Sequence, residues 1–176
     1  MEPVSNQQIA EVLFNIATLL EMQQGNPYRI EAYRNAARGM LALPMQATDV
    51  IAHGQRLEAP GLGDRLRRKI TELATTGQMT FYNDLCEESL PEDARDLMRV
   101  PHVGPRTAIR LSQQLDIHSV EQLAQAAEHQ QLRPYYGFGE RSERRLALGA
   151  HSVIDGPHDH GGGDGHDGHH GGQAAA

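Results

Sequence analysis

The sequence has a single cysteine, Cys86, among 176 residues. One thiol makes neither an internal disulfide nor a multi-cysteine zinc site, so nothing points to an oxidising compartment. Tryptophan is absent, Phe occurs three times and aromatics make up 5% of the chain, so any core must be aliphatic. No apolar run approaches the roughly 20 residues that span a bilayer. The start, Met1-Glu-Pro-Val-Ser-Asn-Gln-Gln8, lacks the basic and apolar segments of a secretory signal. The expected location is the cytoplasm, with no membrane partner. Alternating β-branched runs are missing while Ala and Leu abound, which predicts an all-α fold. Lysine is also scarce: Lys69 is the only one, and every other Lys/Arg position holds Arg.

The formal net charge of −7 argues at first against a nucleic-acid partner, but its distribution matters more than its sum. From His151 onward there are four aspartates and no Lys or Arg, and the remainder holds 16 basic against 19 acidic residues. Six acids crowd into 84–96, whereas nine bases fall in three short stretches, 65–69, 106–110 and 141–145.

Apolar residues Ile9, Val12, Leu13, Ile16, Leu19 and Leu20 recur at helical spacing and predict a helix from Asn6 to about Gln24, opened by Ser5 with Gln8 and stopped by Gly25. Asn26-Pro27 starts a second helix to about Ala42, and a short one follows at 48–53. Ser89 with Glu92 and Ser119 with Gln122 have capping-box spacing and predict helices at 90–99 and 119–129. Three similar segments then stand out, each a tight turn leading into a basic helix: Pro60-Gly-Leu-Gly63 before 64–75, Pro101-His-Val-Gly104 before 105–115, and Tyr136-Gly-Phe-Gly139 before 140–149. Their irregular spacing is a loose internal repeat, not a solenoid period. From His151 the composition turns to Gly, His and Asp, too poor in apolar surface to order itself, and disorder is expected.

In the first turn, Gly61 and Gly63 allow a tight reversal and remove side chains that would obstruct a phosphate. The next helix points its free N–H groups and positive dipole end at the turn, and Arg65, Arg67, Arg68 and Lys69 add charge. Such a device contacts the sugar-phosphate backbone with little sequence preference. A single turn of this kind is an ordinary connection between helices; three copies with basic helices point to binding. In the second, His102 stands where Gly is usual, which predicts a looser turn. In the third, Tyr136 replaces Pro. Tyr135, Tyr136 and Phe138 suit packing of that third turn, with stacking on bases as the alternative.

The stretch from Asn6 to Gly149 resembles the N-terminal region of family X DNA polymerases, the DNA polymerase beta kind, and the bacterial members most of all. The resemblance is carried by Asn26-Pro-Tyr-Arg-Ile-Glu-Ala-Tyr-Arg-Asn-Ala-Ala37, Pro60-Gly-Leu-Gly63, Lys69-Ile70 with Thr76-Gly77, Val100-Pro-His-Val-Gly-Pro105 and Tyr136-Gly-Phe-Gly139, in that order. It implies tandem helix-hairpin-helix units, a lyase-type four-helix domain over 5–84 and a second helix-hairpin-helix domain over 85–150, while the composition sets apart a disordered tail over 151–176. It implies phosphate contacts by Arg29, Tyr33, Gly61, Gly63, Arg65, Arg68, Gly104, Arg106, Gly137 and Gly139. It also implies a monovalent cation, Na+ or K+, on the carbonyls of Leu57, Ala59 and Leu62, and on those of Met98, Val100 and Val103. The sequence ends soon after the third turn, and no polymerase activity is expected.

By the same resemblance Lys69 occupies the position of a Schiff-base nucleophile, which Arg cannot replace because it stays protonated. The amine would attack an abasic-sugar aldehyde, and β-elimination from the iminium would expel the phosphate without a metal. Asn35 and Thr80 stand near positions where the family's lyases often carry Lys, and Arg68 replaces an acid. Lys69 is therefore either that nucleophile or one more phosphate contact. The tail histidines His158, His160, His166, His169 and His170 suit Zn2+ or Ni2+, or belong to a solubilising segment. The leading expectation is a DNA-binding protein of repair, acting on gapped, nicked or abasic DNA and beside other repair proteins. The alternatives are a deoxyribose-phosphate lyase and a protein-interaction adapter.

Overall fold

The computed structural model describes residues 2–156, so the histidines proposed for the tail metal lie outside the described residues. Among these residues there are nine helices and no strand, as the composition predicts. They are α1 (Asn6–Met22), α2 (Pro27–Ala42), α3 (Ala47–Ala52), α4 (Asp64–Thr76), α5 (Thr80–Ser89), α6 (Glu92–Leu97), α7 (Pro105–Leu115), α8 (Val120–Glu128) and α9 (Glu140–Ile154). None is long and apolar enough to cross a membrane.

The first two helices start as the sequence indicates. Ser5 and Gln8 form a complete capping box, and the Asn26 side chain accepts from the Tyr28 amide. Ile9, Leu13, Ile16 and Leu19 of α1 are wholly buried and meet Tyr33, Ala36, Ala37 and Met40 of α2. Asn6 fastens the chain after α2 to the start of α1: its side chain donates to the Met45 carbonyl and accepts from the Ala47 amide, both at 2.7 Å. The apolar core is continuous from α1 through Leu57 and Ile70 to Leu97, Leu111, Leu123 and Leu132.

Two boundaries and one cap differ from the sequence reading. The segment 80–97 is two helices, and Ser89 caps nothing: it ends α5, and its hydroxyl accepts from Gln23 Nε2 at 2.7 Å. Pro91 decides this, because it forces Leu90 into extended backbone and itself becomes the N-cap of α6. Ser119 caps α8, but Gln122 Oε1 accepts from His118 N, so the reciprocal half of the box is missing. The last helix runs past Gly149 and through His151 to Ile154. Gly149 is a contact point rather than a stop, since a Cβ there would sit 3.1 Å from Val100 Cγ1 and 3.2 Å from Pro101 Cδ. His151 Nε2 hydrogen-bonds Glu128 and keeps the end of α9 on α8.

Two polar clusters pin the second half. Asp93 of α6 accepts from Ser112 of α7 and meets His118 Nδ1, while His118 Nε2 meets Asp116. Those hydrogen bonds, from Ser112 first, draw the Asp93 carboxyl down to about 2, and the two aspartates raise His118. Glu143 of α9 is 1% exposed. Its carboxylate accepts from the Leu132 and Arg133 amides at 2.9 Å and from the Arg133 guanidinium at 2.8 Å. Burial pushes this carboxyl up, but those donors outweigh it and leave it below the ordinary range.

Removing Glu143 strands two amides and a guanidinium, so Glu143→Ala should cost about 2–3 kcal/mol in urea denaturation at neutral pH. A depressed carboxyl stabilises above its unfolded value, and that contribution is lost as pH falls through the folded value. The gap between wild type and variant should therefore narrow in acid; a gap that is constant or widens contradicts this role.

Candidate nucleic-acid interface

The three glycine-containing turns are one structure repeated. In each, the third residue of the tetrapeptide donates its amide to the carbonyl three residues earlier: Leu62 to Ala59 at 3.1 Å, Val103 to Val100 at 3.1 Å, and Phe138 to Tyr135 at 3.0 Å. In each, the second residue has left-handed backbone, with φ of 78° at Gly61, 68° at His102 and 86° at Gly137. This is the type II pattern, which demands positive φ at its third position. The expectation that His102 loosens the second turn is therefore overturned, since the closing bond is as short as in the first. Histidine is among the residues that enter the left-handed region most readily.

The register continues into the helices. The third turn residue is buried (Leu62, Val103, Phe138), and so is the residue eight positions on (Ile70, Leu111, Leu146). The fourth is an extended glycine that N-caps α4, α7 or α9 with no side-chain cap, whereas Ser5, Asn26 and Ser119 cap α1, α2 and α8. A helix start left uncapped presents N–H groups without partners. A Cβ on Gly63 or Gly139 would meet nothing within 4 Å, so packing inside the protein does not require glycine there. At Gly104 the Asn15 side-chain oxygen is 3.3 Å away, because this turn faces α1.

Two residues after each capping glycine stands an arginine: Arg65, Arg106 and Arg141. Arg65 and Arg141 are exposed. Arg106 instead pairs with Glu21 at 2.7 Å, and Glu21 also holds Arg34 at 3.1 Å. These two arginines keep the Glu21 carboxyl below its usual range. Arg141 escaped the site residues read from sequence, although its position in the repeat was there to be seen. The third turn has its own support: Arg110 of α7 donates to the Tyr136 carbonyl at 2.6 Å and lies 4.8 Å from the Phe138 ring centroid. Phe138 packs as expected, whereas Tyr136 is 95% exposed and packs against nothing.

A second group forms beside the first turn. Lys69 Nζ donates to Tyr33 Oη at 2.7 Å and lies 3.8 Å from the Phe81 ring centroid. Tyr33 is buried and stacks on Phe81 at 6.1 Å, and Arg29 lies 5.1 Å over the other aromatic ring, Phe81. The sequence reading named Arg29, Tyr33 and Lys69 and the structure joins them. Phe81 was missed because α5 was not foreseen. Arg68 is exposed on α4; Asn35 accepts from Arg38, and Thr80 is tied to Glu72. Among the described residues no group of His, Cys, Asp and Glu is placed to hold a metal ion.

Comparison with known proteins agrees with this geometry. Residues 4–79 match the model of a helix-hairpin-helix domain, and residues 94–152 match that of a SAM-like helix-hairpin-helix tandem. The chain is thus built from helix-hairpin-helix domains. It resembles the N-terminal helix-hairpin-helix region of family X DNA polymerases, being 29% identical over 143 residues to the DNA polymerase/3'-5' exonuclease PolX of Bacillus subtilis (strain 168). That match covers 80% of this chain and 24% of the relative, so the chain spans about a quarter of the length of the protein it matches.

The left-handed position of the second turn can be checked directly. His102→Gly should raise stability to urea by about 0.5 kcal/mol, since glycine avoids the Cβ strain of that region. Gly61→Ala should lower it by about 1–2 kcal/mol. A destabilising His102→Gly contradicts the equivalence of the turns.

Proposed function

We propose that the chain binds DNA through its sugar-phosphate backbone, without sequence preference, in DNA repair, with gapped, nicked or abasic duplexes as its targets. One observation carries this reading: three turns share one closing bond and one left-handed position, and two of them lead to an uncapped helix start past an exposed glycine, Gly63 or Gly139, that the fold itself does not need. Phosphate oxygens suit free N–H groups at such a start, and an arginine two residues on adds charge. Contacts of this kind carry no base information. Arg65 and Arg141 are ready for that task, while Arg106 must first exchange Glu21 for a phosphate. The resemblance to a polymerase points the same way.

A second reading rests on Lys69. Its Nζ sits on a shelf made by Tyr33 and Phe81, with Arg29 above the same ring. An aldehyde delivered to that shelf would form a carbinolamine and then an iminium with loss of water, and β-elimination would release the phosphate. Nζ donates to Tyr33 Oη, and a hydrogen bond donated through N–H leaves the lone pair of a neutral amine free to attack.

One substrate tests both readings: a 5′-phosphorylated gapped duplex carrying an abasic sugar. Binding should weaken steeply as salt rises. Arg65→Ala and Arg141→Ala should each weaken it several-fold on two unrelated sequences. Negligible affinity at low salt would favour an adapter that binds protein. Borohydride should trap a covalent adduct with wild type and none with Lys69→Ala if the lysine is a nucleophile. Absence of a wild-type adduct leaves Lys69 as a phosphate contact.

A further inference from the structure

Four residues after the capping glycine the three helices part company: Arg67 in α4, Ala108 in α7 and Glu143 in α9. Each donates its amide to that glycine's carbonyl at 2.9 Å, so the three side chains start from equivalent places. Ala108 is wholly buried and reaches nothing polar. Glu143 accepts from the amides that lead into its turn. Arg67 does the opposite. Its Nε donates to the Leu57 carbonyl at 2.8 Å and its Nη2 to the Leu62 carbonyl at 3.0 Å, while Nη1 pairs with Asp64. The Arg67 side chain is only 18% exposed. Leu57 and Leu62 supply two of the three carbonyls that the family resemblance offers to a monovalent ion. The third, Ala59, already accepts the Leu62 amide. A monovalent cation on these two oxygens would lie beside the guanidinium already bound to both, and the repulsion between like charges opposes its entry. The first turn therefore does not fit a resident ion.

We propose that Arg67 is the built-in cation of the first hairpin: its guanidinium stands at the Leu57 and Leu62 carbonyls where a monovalent ion would otherwise bind, so this hairpin holds its shape whatever monovalent salt is present. The guanidinium does what an ion would do, drawing the entry and exit strands of the turn together through their oxygens. It is tethered to α4, so it is not lost by dilution. Asp64, held also by Arg56 at 3.2 Å, balances its charge next to the helix start. This role is independent of what the hairpin meets at its outer face.

The test uses the full chain, 15N-labelled, with KCl replacing tetramethylammonium chloride at constant ionic strength; the organic ion is too bulky to enter a ring of carbonyls. In wild type the Leu62 and Gly63 amides should show no saturable, K+-specific shift. In Arg67→Met the same amides should shift saturably with K+, and KCl should raise the melting temperature over tetramethylammonium. If Arg67→Met is unfolded in tetramethylammonium, KCl should restore its fold. A saturable K+ shift at Leu62 in wild type overturns the proposal, as does an Arg67→Met hairpin that neither responds to K+ nor is rescued by it.

Discussion

The structure depends on one backbone constraint, the left-handed residue at the second position of each turn. With φ near +70 to +86° at Gly61, His102 and Gly137, the amide of the next residue swings back to the entering strand and closes the turn. That closure turns the side chain of Leu62, Val103 or Phe138 into the core and leaves Gly63 and Gly139 exposed, with Gly104 half-buried against Asn15 of α1. Burial of the anchoring residue is thus set by a single dihedral in each of the three turns. A β-branched residue in that place would open the turn, release the buried anchor and misdirect the helix.

Close packing holds the turns in position. A Cβ on Gly39 of α2 would lie 3.3 Å from the Pro60 carbonyl, and one on Gly149 of α9 would press on Val100 and Pro101. The first two turns therefore each sit on a helical glycine belonging to another element, and the third is gripped from α7 by Arg110. What differs is how each turn is closed from within: by a guanidinium on carbonyls, by plain alkyl packing, or by a carboxylate on amides. The same outer geometry is reached with three internal chemistries, which shows that the fold selects the backbone shape and tolerates variety in what secures it.

Much of this was legible in the residues. Apolar periodicity located α1, Asn26-Pro27 placed the start of α2, and the glycine pattern found all three turns and their helices. Glycine also misled: Gly149 reads as a helix end, but its lack of a side chain serves contact with Val100. Ser89-Glu92 reads as a capping box because spacing does not reveal that Pro91 breaks the chain between two helices. Arg67 was beyond reach of pattern, since in a run of basic residues nothing distinguishes an arginine that points inward to carbonyls from its neighbours Arg65 and Arg68. Phe81 likewise joins Lys69 only through tertiary packing.

Charge reconciles a net −7 chain with an anionic partner. Six acids crowd into 84–96, away from the turn glycines, and the acids beside two of those glycines are held in ion pairs, Asp64 by Arg56 and Arg67 and Glu140 by Arg144, while Arg65 and Arg141 stay exposed. Amide mapping tests most directly whether all three turns grip phosphate. On titration of the 15N-labelled chain with short duplexes of two unrelated sequences, the amides of 63–66, 104, 106 and 139–142 should shift together and alike for both. Shifts confined to other surfaces, or different for the two sequences, would contradict the account.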